Sequence, residues 1–265
     1  MLTFQEPETG FNILSIHRMN AGGRWRTEAM RSYARPVLLW FTRGQGKITI
    51  AGASRGYGPH NAVYLPPGTM HGFDMLGTVQ GTVIQFPRAM AHDFPDAPCH
   101  LRLRDAGLQT EMTGLVEALE REARTDRPGA ERAMAHHAGL IAIWLERNGA
   151  LAEHPNEAGA AARLATAFTA LVEQEFRSGL GVAGYAAKLG VTPTHLSRAC
   201  RQASGHSASR LLQDRRLYEA RQLLNDTALP VGEIAQRLGF RSAAYFSRAF
   251  QQKTGSTPSA FRKTA

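Results

Sequence analysis

Apolar and polar positions follow two different periods along this chain. Between positions 36 and 87 they come in short runs, VLLWFTRGQGKITIAG, NAVYLPPGTMHGFDM and TVQGTVIQFP, several of which alternate. Such runs, broken by Gly and Pro, read as half-buried strands joined by turns. Gly44 and Gly46 predict a tight turn after one strand, positions 47–50 alternate as the next strand should, and Pro66, Pro67 and Gly68 predict another reversal. Alternation puts Leu39, Phe41 and Arg43 on one side of the first strand and Leu38, Trp40 and Thr42 on the other. Many short strands of this kind predict a small β-barrel or jelly roll.

From position 108 the period lengthens to three and four residues. Leu108, Met112, Leu115 and Leu119 form one seam over 108–124, Pro128 and Gly129 break it, and a second helix over 130–147 brings Leu140, Ile141, Trp144 and Leu145. The seam suits an antiparallel hairpin within one molecule and a coiled coil between two equally well. The run GALAEHPNEAGAA at 149–161 is polar and rich in Gly and Ala, the composition of a flexible tether.

The last hundred residues repeat themselves. Val182, Ala186, Leu189 and Gly190 recur as Val231, Ala235, Leu238 and Gly239; Ser197, Arg198, Ala199, Gly205 and Ser209 recur as Ser247, Arg248, Ala249, Gly255 and Ser259. One extra residue lies in the second turn. Each copy reads as a short helix, a Gly-containing turn and a second helix over about 193–203 or 243–253, the pattern of a helix-turn-helix. In the first copy Leu196, Ala199, Cys200 and Ala203 make an inward stripe, which leaves Thr194, His195, Ser197, Arg198 and Arg201 outward. In the second, Phe246, Ala249 and Phe250 point in, Tyr245, Ser247, Arg248, Gln251 and Gln252 point out, and Arg241 sits in the turn. These outward groups can donate to guanine edges and phosphates. Between the copies, 207–225 lacks Gly and Pro and predicts a helix of about 19 residues, roughly 28 Å at 1.5 Å per residue. A rod of that length suits two reading heads in successive major grooves about 34 Å apart.

With GFRSAAYFSRAFQQKTGSTPSAFRK closing it, the stretch from about 162 to 263 resembles the AraC/XylS family of bacterial transcription regulators. The resemblance implies that Thr194, Ser197, Arg198 and Arg248 approach bases. Ala243 and Ala244 depart from the larger polar residues of relatives, so the second unit is expected to bind mainly through phosphate and shape. Positions 36–87 resemble the cupin-type effector domain found in front of many such DNA-binding domains, through Arg43-Gly-Gln-Gly and Leu65-Pro-Pro-Gly-Thr-Met-His71. That likeness implies an inward Arg43. With Arg31, Tyr33, Arg35, Phe41 and His71 it would suit an anionic or hydroxyl-bearing effector; the plainer readings are that Arg43 caps a surface turn and His71 satisfies a backbone group. The expected partners are double-stranded promoter DNA, a small-molecule effector, a second copy of the chain and, for an activator, RNA polymerase.

Composition adds direction. The chain has 265 residues, 43% apolar and 20% charged, with net charge +9. From 162 onward there are 15 Lys and Arg against 6 Asp and Glu, and before it 16 against 16, so the excess positive charge lies with the repeat. The expected organisation is therefore α+β with two domains: 1–148, a cupin-like barrel with a helical hairpin; 149–161, a linker; and 162–265, an all-α tandem helix-turn-helix. Cys99 and Cys200, one in each half, read as small core residues. With no basic-then-apolar leader and no apolar run of about 18 residues, a soluble cytoplasmic protein is expected.

The rival class is a cupin-type metal-dependent enzyme fused to a DNA-binding domain. Such enzymes hold a metal through His-x-His, an acid and a later His. Only the later His is matched, by His71; His60 stands alone, and His136 and His137 diverge by about 100° on a helix. No catalytic residue, metal site or cofactor is expected.

Overall fold

The computed structural model describes residues 10–19, 25–151 and 159–264. Its N-terminal part holds seven strands: β1 (Asn12–Ser15), β2 (Val37–Ile50), β3 (Ala53–Tyr57), β4 (Asn61–Leu65), β5 (His71–Phe73), β6 (Leu76–Gln85) and β7 (Cys99–Arg102), with single helical turns α1 (Ile16–Met19) and α2 (Trp25–Glu28) before β2. All pairing is antiparallel, in the order β1-β6-β2-β4-β7, with β3 and β5 also paired to β2.

One unbroken 14-residue β2 replaces the tight turn expected at Gly44 and Gly46. Its first half lies between β4 and β6, and its second half pairs with β3 and β5. Register shifts against β6 between Phe41 and Arg43, and again between Arg43 and Gln45, bend the strand from one pairing to the other. Gly44 serves this bend: at φ +85° a Cβ there would stand 2.4 Å from the Thr78 carbonyl oxygen. Those irregularities also overturn the inward Arg43. Leu39 and Phe41 stay in the interior cluster with Ile48, Val63, Phe73 and Val83, but beyond the first shift Thr42 and Arg43 are both exposed.

The opposite face of the sheet carries Leu38, Trp40, Ala62, Tyr64, Ile84 and Leu101. Against it pack α3 (Ala106–Ala123) and α4 (Ala130–Asn148) through Met112, Val116, Leu119, Ile141 and Leu145. The predicted seam is thus spent within the molecule: Met112 and Leu119 are buried, and Leu108 and Leu115 pack half-buried beside them. Asp105 caps α3 by accepting from the Leu108 amide, and the Trp144 indole donates to Glu111.

The C-terminal part is helical: α5 (Ala160–Glu175), α6 (Val182–Lys188), α7 (Pro193–Ser204), α8 (Ala208–Asp226), α9 (Val231–Arg237), α10 (Ala243–Thr254) and α11 (Pro258–Thr264). It has one core, to which both repeats contribute and which Met30 and Met70 of the sheet domain join. The domains touch at the two-residue β2–β3 turn, where Ala51 (φ 47°) and Gly52 (φ +79°) both take the left-handed region. The Thr166 hydroxyl donates to the Ala51 carbonyl at 2.9 Å, Ser54 donates to the Ser204 carbonyl at 3.1 Å, and a Cβ on Gly52 would meet the Ala165 oxygen at 2.8 Å. Part of the expected tether lies outside the described residues, and beyond it α5 sits directly on the sheet domain.

Two buried histidines make this fold acid-sensitive. Burial, with Arg31 nearby, holds His71 down at about 3; burial, with Arg102 and Arg55, holds His100 down at about 4. The unfolded chain takes up protons near 6.5 and the folded chain does not, so stability present above that pH is lost as pH falls. Each histidine contributes at most about 1.4 kcal/mol per pH unit. Thermal melts should show a falling Tm from pH 7 to pH 5. His100→Gln, which keeps a donor for Asn61 and has no proton to gain, should flatten that fall.

Candidate nucleic-acid interface

The repeat in sequence becomes a repeat in hydrogen bonds. In the first unit Leu189 and Gly190 (φ +67°) end α6, the Val191 amide bonds back to the Ala186 carbonyl, and Thr192 accepts from the His195 amide at 3.2 Å to start α7 with Pro193 in its first turn. In the second, Gly239 (φ +71°) ends α9, Phe240 bonds back to Ala235, and Ser242 accepts from the Tyr245 amide at 3.2 Å to start α10. Both second helices finish on a left-handed glycine, Gly205 or Gly255, preceded by a hydroxyl that bonds into its own last turn, Ser204 or Thr254. The inserted residue of the second copy is accommodated between Gly239 and the cap.

These two helices divide their faces as the periodicity predicts. Leu196, Ala199 and Cys200 are buried in α7, as are Phe246, Ala249 and Phe250 in α10. Thr194, His195, Arg198 and Arg201 are exposed and Ser197 is half-buried. In the second unit Arg241, Tyr245, Arg248, Gln251 and Gln252 are exposed and Ser247 is half-buried.

What composition alone could not sort is the charge. Five of the six acidic residues of the domain are bound to cations: Glu173 and Glu219 to Arg215, Glu219 also to Arg177, Glu175 to Lys188, Asp214 to Arg210 and Lys253, and Glu233 to Arg237. Arg198, Arg201, Arg241 and Arg248 make no ion pair among the described residues. Most of the domain's negative charge is consumed away from the outward faces of α7 and α10, and these four exposed guanidinium groups stand on or beside them. Donors, hydroxyls and free positive charge on two projecting helices are the equipment for phosphate and base-edge contact.

Sequence reasoning missed α8's interior. The expected bare rod is a helix whose Leu211, Leu217, Ala220 and Leu224 are buried together with Asp214, Arg215, Arg216 and Arg221. Arg215 is gripped by both Glu173 oxygens at 2.8 and 2.9 Å, by Glu219 at 3.0 Å, and stacks over Phe176 at 4.0 Å. Burial alone would raise the Glu219 carboxyl, but Arg215 and Arg177 outweigh it and hold it low. The available signal was that Arg216 and Ala220 fall in step with Leu212 and Leu224 at four-residue intervals, so that an arginine sits on the apolar stripe.

The proposed effector residues separate into groups. Arg31, Tyr33 and His71 come together inside the sheet domain: the Arg31 guanidinium lies 5.5 Å from the Phe73 ring centre and 6.0 Å from that of Tyr33, and the Tyr33 and His71 rings are 5.2 Å apart. Phe41 adjoins them through Phe73. Arg35 is buried but turned to the Gly10 carbonyl, and Arg43 is outside. His71 Nδ1 meets the Thr69 carbonyl at 2.9 Å, which fixes the Nδ1–H tautomer. A separate cavity of about 200 Å³ opens between the domains, with Ile50, Met70 and His100 on one side and Thr166, Thr169 and Ala170 on the other. Among the described residues no group of three or more His, Cys, Asp or Glu could hold a metal ion, and no helix is long and apolar enough to cross a membrane.

Residues 185–264 match the family model described as a helix-turn-helix domain. The arabinose operon regulatory protein of Escherichia coli is 35% identical over 85 residues, which cover 32% of this chain and 29% of that protein. The HTH-type transcriptional regulator GlxA of Rhizobium meliloti is 33% identical over 134 residues, 51% of this chain and 34% of that one. This chain therefore spans about a third of the length of these curated relatives. Among solved structures, an apo variant of ToxT from Vibrio cholerae aligns over 96% of both chains at 13% identity with a TM-score of 0.48. Both of these curated relatives are named as regulatory proteins, and residues 185–264 of this chain are a helix-turn-helix domain similar in sequence to part of each.

Proposed function

We propose that the chain is a cytoplasmic transcription regulator that lays α7 and α10 in adjacent major grooves of promoter DNA under the control of a small-molecule effector. The observation that carries this reading is the set of four arginines without ion pairs among the described residues, on or beside two exposed, capped helices. The first unit carries most of the sequence reading, through Thr194, His195, Ser197, Arg198 and Arg201. Ala243 and Ala244 leave the second with fewer base-reading groups, so Arg241, Tyr245, Ser247, Arg248, Gln251 and Gln252 act largely on phosphate and shape.

Arg31, Tyr33 and His71 supply a cationic donor beside an imidazole whose Nε2 can accept. That combination favours a hydroxyl-bearing or anionic effector. The cavity between the domains is lined from both sides, so whatever occupies that region bears on how α5 sits against the sheet domain. A second copy of the chain docks on the outer face of α4, where Leu140 and Ile143 are 50% and 44% exposed although large and apolar. For an activator, RNA polymerase is the further partner.

Arg198→Ala should weaken binding to a duplex enriched by the wild-type chain by about 1–3 kcal/mol and relax specificity at one position, whereas Arg248→Ala should weaken all duplexes alike and lower the salt slope by about one. Anisotropy titrations across a salt series measure both, and unchanged binding in both variants would refute the reading. In thermal-shift screens against sugars and small carboxylic acids, His71→Phe should remove any ligand-induced rise in Tm, and Arg43→Ala should preserve it. Leu140→Glu should convert a dimer to a monomer by light scattering without lowering helicity.

A further inference from the structure

The two helix-turn-helix units touch each other directly, in addition to sharing α8. Gly179, at φ +78° in the connection between α5 and α6, lies against Gly239 in the turn between α9 and α10. A Cβ on Gly239 would stand 2.5 Å from the Gly179 nitrogen, 2.6 Å from its Cα and 3.1 Å from the Arg177 carbonyl oxygen. The approach is backbone to backbone, and no side chain fits between.

Arg216 of α8 spans the same junction. Its Nε donates to the Phe176 carbonyl at 2.8 Å and its Nη2 to the Leu180 carbonyl at 3.0 Å, so it brackets the connection that holds Gly179. Its guanidinium lies 5.8 Å from the ring centre of Phe240, the residue after Gly239. Phe240 in turn packs on Phe246 and Tyr245 of α10, with ring centres 5.1 and 6.2 Å apart. A continuous set of contacts therefore runs from the loop that leads into the first unit, through one buried cation, to the second recognition helix. Among the described residues Arg216 pairs with no carboxylate. A cation buried without a counter-charge is a poor way to gain stability compared with an apolar side chain, but two carbonyls and a ring at fixed angles define a position.

We propose that Arg216 and the Gly179–Gly239 contact set the rise and twist between α7 and α10, and are thereby positioning residues that decide which spacing of two DNA half-elements the chain accepts. Each base pair added between two elements moves the second by about 3.4 Å and turns it by about 34°. A rigid pair of heads must then lose contacts or deform the duplex, whereas a loosened pair can follow. The inference rests on the DNA-binding reading above.

The test uses the full chain. Duplexes are enriched from a randomised 40-base-pair library with the wild type. The best is then remade with one base pair inserted or removed between the two segments protected in footprinting, and affinities are measured by anisotropy at fixed salt. The wild type should lose at least about tenfold on either change. Arg216→Met, shown to be folded by circular dichroism, should bind the parent duplex more weakly yet lose less than about threefold when spacing changes. Arg216→Lys, able to hold one of the two carbonyls and the milder substitution for folding, should fall between. If the wild type shows no spacing penalty, or if the folded variants keep the wild-type penalty, the inference is overturned while DNA binding stands. A wild type that enriches no duplex overturns both.

Discussion

The Arg215–Glu173 pair is the joint on which the arrangement of this molecule depends. Glu173 belongs to α5, the helix that rests on the sheet domain; Arg215 belongs to α8, the helix shared by both reading units. Two parallel N–H···O bonds at 2.8 and 2.9 Å fix distance and angle together, and Glu219 and the Phe176 ring complete the shell around the guanidinium. Arg215 is buried and Glu173 half-buried, so removing Glu173 leaves the guanidinium with Glu219 alone as its carboxylate partner among the described residues. The gain is geometric: α5 cannot shift on the sheet domain without carrying α8 with it.

The same economy of charge explains the surface. Carboxylates in the C-terminal domain are placed where they neutralise arginines and lysines that hold helices together. Among the described residues Arg198, Arg201, Arg241 and Arg248, on and beside α7 and α10, receive none. A net positive charge spread evenly would attract nucleic acid without orienting it, whereas charge concentrated on two projecting helices orients as well as attracts.

Contacts between the domains give this arrangement a direction. The β2–β3 turn reaches α5 and the end of α7, so the sheet domain bonds to the side of the helical domain that carries the first unit. Ala51 in a left-handed conformation stores about 1 kcal/mol or more at that turn, held there by the Met70 and Thr166 hydrogen bonds on its own amide and carbonyl. A turn under strain, pressed on a helix and beside an apolar cavity, is a place where a small change in packing alters how the domains fit.

Periodicity and local chemistry determined much of this protein from its sequence. The helices of the repeat, the inward stripes and the outward polar faces all follow from interactions within a few residues, and the structure places them within a residue or two of the positions read from the pattern. The strand alternation of β2 was legible as far as Phe41, then failed, because a bulge is a mismatch between two strands and leaves no mark in one of them except a glycine that reads equally as a turn. Which arginines meet solvent and which are buried, that α8 is core rather than strut, and that Gly239 abuts Gly179 sixty residues earlier were decided only in three dimensions. Each depends on what a distant segment brings to within a few ångströms, and a chain read in order carries no record of that distance.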